Sequence, residues 1–127
     1  MPDNILPLKE SGKLNLIDAN EKPLGFDILT VNGHTEKMML PVLEFKSRTI
    51  VFVSDLIPTS GHVRVPFIMG YDTRPLQTLR EKESFLEKAA KDKFLLFLQH
   101  DVKNEIIDIK KENNKFKLNK TFKLENI

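Results

Sequence analysis

Residues 49–54 read TIVFVS, and this stretch, with Asp55 directly after it, decides the fold. A short unbroken apolar run of this kind predicts a strand buried on both faces. Two further strands are predicted before it: Phe26–Val31 (FDILTV), and Met38–Phe45 (MMLPVLEF), in which Pro41 favours an edge strand or a bulge. The three strands are expected to run alternately up, down and up.

A helix and another buried strand follow the central run. Asp72 or Thr73 can cap a helix that has Pro75 in its first turn and extends to about Lys91. The apolar residues at helical spacing, which define its expected core face, are Leu76, Leu79, Leu86 and Ala90. Residues 93–98 (KFLLFL) then predict a strand that the crossover helix returns parallel to the central one.

The two ends of the chain carry weaker patterns. Lys13–Asp18 (KLNLID) alternates and predicts a short strand. Residues 105–110 and 115–124 predict a hairpin that turns at Asn113-Asn114. We therefore expect an α/β fold: a mixed β-sheet with one long crossover helix and a C-terminal hairpin.

Three of the predicted strands point the same way, so their C-terminal ends lie at one edge of the sheet. The candidate residues just beyond those ends are His34, Asp55 and His100. Ligands bind at this edge in α/β sheets, and imidazole together with carboxylate suits Zn²⁺, Fe or Mn. Taken one at a time, the same residues have ordinary explanations, such as a solvated imidazole or a capping carboxylate. Their common edge is the observation that favours a metal site.

The composition excludes several other classes of protein. The chain has 127 residues, 40% hydrophobic and 30% charged, which suffices for one domain with a real core. A net charge of +2 gives no reason to expect nucleic acid binding, and no apolar run approaches the ~20 residues of a membrane span. The sequence has no Cys, which excludes disulfides and thiolate ligands. Without a secretory pattern at the N-terminus, this favours a cytoplasmic location.

Several motifs resemble those of one known family. NGHT at 32–35, VFVSDLIPT at 51–59 and FLQHD at 97–101 resemble the last three metal-binding motifs of the metallo-β-lactamase fold. A longer stretch that includes YDTRPL at 71–76 resembles the hydrolase branch that contains quorum-quenching lactonase-like proteins and organophosphate hydrolase relatives. The order and spacing of the motifs carry this resemblance, which covers most of the chain.

The resemblance implies a role for each candidate residue. The family binds two metal ions, commonly zinc, and we expect hydrolysis of an ester, lactone or phosphotriester. By resemblance, His34 corresponds to the third histidine of the first metal site and His100 to the last ligand of the second. Asp55 corresponds to the carboxylate that bridges both metals at the catalytic centre. His62 and Tyr71, on the loop after it, are candidates for substrate binding.

One departure from the family is large, because its His-x-His-x-Asp-His signature is absent from this sequence. Residues 1–127 resemble the C-terminal half of an αββα sandwich, a single half-domain with three metal ligands and at most one bound zinc. We expect little or no activity without the N-terminal half, and an uncovered apolar sheet face that favours association. The alternatives are a stand-alone domain that pairs with itself, and a mononuclear metal-binding domain with a regulatory role.

Overall fold

The computed structural model describes residues 4–18, 21–22 and 25–127. Its helices and strands are, in chain order, α1 (Leu6–Glu10), β1 (Asp27–Val31), β2 (Met38–Phe45), β3 (Arg48–Phe52), α2 (Pro75–Asp92), β4 (Leu95–Phe97), β5 (Ile106–Glu112) and β6 (Lys115–Phe122).

The strands form one sheet in the order β1-β2-β3-β4-β5-β6. Neighbouring strands are antiparallel except β3 and β4, which are parallel. The expected α/β fold with a mixed sheet and one long crossover helix is confirmed. In the part of the chain described, no helix is both long enough and apolar enough to cross a membrane.

The core lies between α2 and one face of the sheet. Val51 of β3 pairs with Leu96 of β4, and both side chains are fully buried. Ile107 of β5 extends this layer, and Leu86 and Ala89 of α2 pack against it. The parallel pair β3–β4 is therefore the centre of the fold, as its unbroken apolar runs predict.

The helix faces the sheet with a stripe that agrees with the predicted one only in part. Its buried residues are Thr78, Lys82, Phe85, Leu86 and Ala89. The prediction is confirmed for Leu86, and half-buried Ala90 packs against the core. Leu76 is 69% exposed, so its predicted place in the core was wrong. With 3.6 residues per turn, Leu76 lies about 200° around the helix from Thr78, whose side faces inward. The predicted caps were also wrong, because α2 begins after Arg74 with no side-chain cap.

Two predictions about strands were wrong as well. Lys13–Asp18 forms no strand, and Leu16 within it is 88% exposed, so no buried face specifies a strand there. β2 is an interior strand, since it pairs with both β1 and β3. Its ladder with β3 begins only at Val42, so Pro41 has no partner residue in β3. The β5–β6 hairpin turns at Asn113-Asn114 as predicted, and both residues have positive φ.

The opposite face of the sheet is apolar, with a small buried cluster of Ile50, Leu95, Ile106 and Ile127 and an open region beside it. Phe52 and Phe97 stack on it with ring centroids 5.5 Å apart. Leu43 and Phe45 beside them are 40% and 43% exposed. A depression of about 410 Å³ lies here, lined by Leu43, Glu44, Phe45, Ile50, Phe52, Phe97 and Leu124.

The loop after β1 lies unusually close to the first turn of α2. A Cβ atom added to Gly33 would lie 2.4 Å from both the backbone nitrogen and the Oγ1 of Thr78, and 2.5 Å from its Cα. Only glycine fits this approach, because two of the three atoms belong to helix backbone and cannot rotate away. Gly33 therefore sets the distance between the helix and the loop.

We expect Gly33→Ala to destabilise the fold by about 1–3 kcal/mol, the usual cost of overpacking. Urea unfolding of the two proteins measures this difference. Gly70→Ala is the matched control, since a Cβ there meets nothing within 4 Å and should change stability by less than about 0.5 kcal/mol. Equal stabilities of the two variants would contradict the close contact.

Candidate metal centre

The three residues predicted to share an edge meet there. His34 follows β1, Asp55 follows β3 and His100 follows β4. The Nε2 atom of His34 lies 3.4 Å from Oδ2 of Asp55, and the Nε2 atom of His100 lies 3.1 Å from Oδ1. Each imidazole therefore approaches a different oxygen of one carboxylate.

Helix α2 holds the loop that presents His34. The Glu81 carboxylate accepts hydrogen bonds from the backbone N–H groups of Asn32 and Gly33, each at 2.9 Å. In return, the backbone N–H groups of Thr73 and Arg74 donate to the carbonyls of His34 and Gly33, at 3.1 and 2.8 Å. These bonds satisfy the loop backbone on both sides and leave it little freedom.

The His34 side chain is oriented by Asp72, the residue that the sequence predicts as a helix cap. Nδ1 of His34 lies 2.8 Å from Oδ1 of Asp72, whose side chain is 1% exposed. A carboxylate can only accept, so Nδ1 donates its proton to Asp72, and Nε2 is the ring nitrogen that a metal ion would bind. Nε2 faces Oδ2 of Asp55, and a cation between these two atoms could bind both.

Asp55 is held at the end of β3 by the strained residue before it and by the buried residues after it. Ser54 has φ +45°, a left-handed conformation that few non-glycine residues adopt. Its Oγ donates to the carbonyl of Met39 at 3.1 Å. Leu56 and Ile57, directly after Asp55, are buried in the core. The carboxylate is thus fixed from both sides while its own side chain stays 27% exposed.

His100 is held through its backbone and its neighbour Asp101. The His100 N–H donates to the carbonyl of Pro58 at 3.1 Å. The Asp101 carboxylate accepts from the N–H and Oγ of Ser60 and from the N–H of Asn104. Burial alone would raise the pKa of Asp101, but these bonds, with one from Lys103, outweigh it and hold that pKa well below its usual range. The His100 side chain itself is 52% exposed.

Of the two candidate substrate-binding residues, Tyr71 contacts this centre directly, whereas His62 contacts Thr59. The Tyr71 ring meets His34 edge to face, with centroids 6.0 Å apart, and is 74% exposed. His62 lies on a short 3₁₀ turn, where its Nδ1 is 2.8 Å from Oγ1 of Thr59. Burial lowers the pKa of His62, and the charge of Lys82 lowers it further. Their roles in binding a substrate stay predictions.

The donor set fits metal ions only in part. Two ligands of one tetrahedral zinc, each bonded at about 2.0–2.2 Å, are about 3.3 Å apart, close to the two N···O distances found here. Each carboxylate oxygen, however, has only one imidazole beside it. In the described part of the chain, no group of three or more His, Asp or Glu side chains is arranged to hold an ion.

Two residues of this region carry no recognisable signal in the motifs. The Glu81 carboxylate accepts hydrogen bonds from the backbone N–H groups of Asn32 and Gly33, which are distant from it in sequence. Lys82 is fully buried, and its Nζ donates to the carbonyl of Phe67 at 2.6 Å. The helical spacing of Lys82 from Thr78 and Phe85 would have placed it on the core face, although a lysine is not expected there.

Comparison with known proteins identifies the fold. No family model and no curated protein matches this chain. Hydrolase AbOPH of the beta lactamase superfamily is 20% identical, with a TM-score of 0.81 over 94% of this chain and 42% of that one. AidC, a dizinc quorum-quenching lactonase, is 22% identical, with a TM-score of 0.78 over the same shares of the two chains. A probable metal-dependent hydrolase from Staphylococcus aureus is 23% identical, with a TM-score of 0.73 over 89% of this chain and 42% of its own.

This chain therefore spans about 42% of the length of each of these three structures. At such low identity the likeness establishes the fold, which corresponds to half of a β-lactamase-fold domain. The expected half-sandwich is thus confirmed.

The buried ammonium of Lys82 should make stability depend on pH. Burial lowers the pKa of Lys82 from 10.5 to about 8, although the charge of Asp72 raises it. Between these values the unfolded chain binds more protons, so this group makes the free energy of unfolding rise with pH. The comparison of wild type with Lys82→Met, by urea unfolding from pH 7 to 10.5, isolates this contribution.

Lys91→Met, on the exposed side of the same helix, is the control and should keep the pH dependence of the wild type. A Lys82→Met variant with the same slope as the wild type would show that the ammonium is not held in a low-dielectric environment.

Proposed function

We propose that this chain provides the C-terminal half of a dinuclear metal-dependent hydrolase site of the lactonase-like branch. The supporting observation is that the Nε2 atoms of His34 and His100 approach opposite oxygens of Asp55. His34 would bind one ion, His100 the other, and Asp55 would bridge them. Zinc is the metal we propose, in line with the dizinc lactonase AidC.

The chain's own residues have distinct tasks in this proposal. Asp72 holds the proton on Nδ1 of His34 and so keeps Nε2 available as a ligand. Tyr71, exposed beside the His34 ring, and His62 would shape the pocket for a small ester, lactone or phosphotriester. Bound metal ions supply an activated water and polarise the carbonyl or phosphoryl oxygen of a substrate.

The proposed site is incomplete in this chain. Each ion would receive one imidazole and one carboxylate oxygen, whereas catalytic zinc usually has three protein ligands. The missing ligands correspond to the His-x-His-x-Asp-His run, which this sequence lacks. We propose that a segment with that run completes the site and covers the open apolar face. By itself, the chain should bind at most one zinc ion weakly and turn over no substrate.

A zinc or cobalt titration of the 127-residue chain tests this proposal. His34→Ala and His100→Ala should each lower the affinity at least 10-fold, and the double variant should bind no ion. His62→Ala is the matched control, because this histidine is not a proposed ligand, and should bind as the wild type does. Unchanged binding by the double variant would refute the ligand assignment. Robust hydrolysis of a lactone or aryl ester by the chain alone, with zinc added, would refute the proposal that the site is incomplete in this chain.

The open face favours a second candidate function. A second copy of the chain, rather than an N-terminal half, could cover the depression lined by Leu43, Phe45, Phe52 and Phe97. A two-fold dimer buries the same patch on both copies and can bring two incomplete sites into one assembly. The chain would then be a self-associating, non-enzymatic metal-binding domain.

Sedimentation velocity over a range of concentrations separates the two candidates. A self-associating chain should form dimers that Leu43→Glu disrupts, because the new charge lies on the open face. Leu76→Glu is the matched control, since Leu76 is exposed on α2, away from that face, and should leave the dimers intact. A wild-type chain that remains monomeric at about 100 µM would exclude this second candidate.

A further inference from the structure

Glu81 bonds the loop that presents His34 with both of its carboxylate oxygens. Oε1 accepts from the backbone N–H of Asn32 and from Nε2 of Gln77, each at 2.9 Å. Oε2 accepts from the N–H of Gly33 at 2.9 Å and shares the N–H of Asn32 at 3.1 Å. Because every contact comes from an N–H donor, this position requires two acceptor oxygens, which a carboxylate has and an amide lacks.

The partners of Glu81 in these four hydrogen bonds are uncharged. A half-buried carboxylate loses part of its hydration, and here backbone N–H groups replace the lost bonds. Gln77 lies one turn earlier on α2, at the i, i+4 spacing, and holds Oε1 against the loop. The carboxylate is therefore suited to fixing the backbone of residues 32 and 33.

This fixed stretch of backbone ends at the candidate ligand itself. His34 directly follows the two bonded amides, and its carbonyl accepts from the N–H of Thr73 at 3.1 Å. Its Nε2 lies 3.4 Å from Oδ2 of Asp55. An ion that binds both atoms needs bonds of about 2.0–2.2 Å, and a site of this kind has to be held within about 0.5 Å. Loss of the Glu81 bonds would release the backbone on one side of His34, and the imidazole would move with it.

We propose that Glu81 is a positioning residue, which fixes the backbone before His34 and thereby sets the distance between Nε2 of His34 and the Asp55 carboxylate. The part of this inference that concerns metal binding rests on the proposed function, whereas the part that concerns the position of the imidazole does not. The competing explanation is structural: Glu81 only satisfies two amides and so stabilises the fold.

NMR spectra of Glu81→Gln in the metal-free chain test the position of the imidazole. The new NH₂ group faces an N–H donor, so the amides of residues 32 and 33 should exchange with solvent at least 10-fold faster. The nuclear Overhauser effects between the rings of His34 and Tyr71, whose centroids are 6.0 Å apart, should fall at least twofold. Glu83→Gln makes the same change at an exposed position of α2 and should leave both measurements as in the wild type.

Ile107→Val separates positioning from a general loss of stability. Ile107 is fully buried in β5, and three strands lie between β5 and β1. This variant should unfold at a lower urea concentration and keep the contacts between the two rings. Wild-type contacts in Glu81→Gln, or an equal loss of them in Ile107→Val, would overturn the proposal in favour of the structural explanation. If Glu81→Gln fails to fold, Glu81→Asp, which withdraws the carboxylate by one methylene, gives the same decision.

A cobalt titration of the same proteins tests the consequence for metal binding. Glu81→Gln should lower the affinity about 10-fold, as for other residues that support a ligand, whereas Glu83→Gln and Ile107→Val should bind as the wild type does. A wild-type chain that binds no cobalt would refute the proposed function, while the ring contacts would still decide whether Glu81 positions His34. Unchanged affinity of Glu81→Gln in a chain that does bind cobalt would overturn the metal-binding part of the inference.

Discussion

The contact between Gly33 and the first turn of α2 is the constraint on which the candidate site depends. Because Gly33 has no side chain, the helix backbone at Thr78 can approach the loop after β1 directly. One turn later, the Glu81 carboxylate accepts the amide protons of that loop. The helix that covers the core therefore also determines where His34 lies. The same contact turns the Thr78 side of the helix inward and so selects its buried stripe.

The site combines well-held side chains with an incomplete donor set. His34 is oriented by a buried carboxylate, and the backbone beside His100 is fixed by the hydrogen bonds of Asp101. Asp55 lies between the two imidazoles at the end of a strained turn. The likeness of this chain to about 42% of the length of larger hydrolases supports the proposal that these side chains form part of a larger site.

Much of the fold could be predicted from local pattern, and two of the failures, at Asp72 and Leu76, have a common cause. The unbroken runs around Val51 and Leu96 predicted the parallel centre because strands buried on both faces need no alternation. Predictions failed where an interaction with a distant element outweighed local preference. Asp72 is a residue type that often caps helices, yet its carboxylate is hydrogen-bonded to His34 from another part of the chain. Leu76 suits a helix core stripe by its spacing, yet the close contact at Gly33 turns it outward.

The sequence by itself determined the order and direction of the strands and, through them, the common edge of His34, Asp55 and His100. This follows because apolar runs, turns and the handedness of a crossover depend on local chemistry and chain connectivity. Only the tertiary structure decided which oxygen of Asp55 each imidazole approaches, and that Asp72 contacts Nδ1 of His34. These contacts join residues that are tens of positions apart in the sequence. They depend on differences of a few ångström between side-chain atoms, which no local sequence pattern encodes.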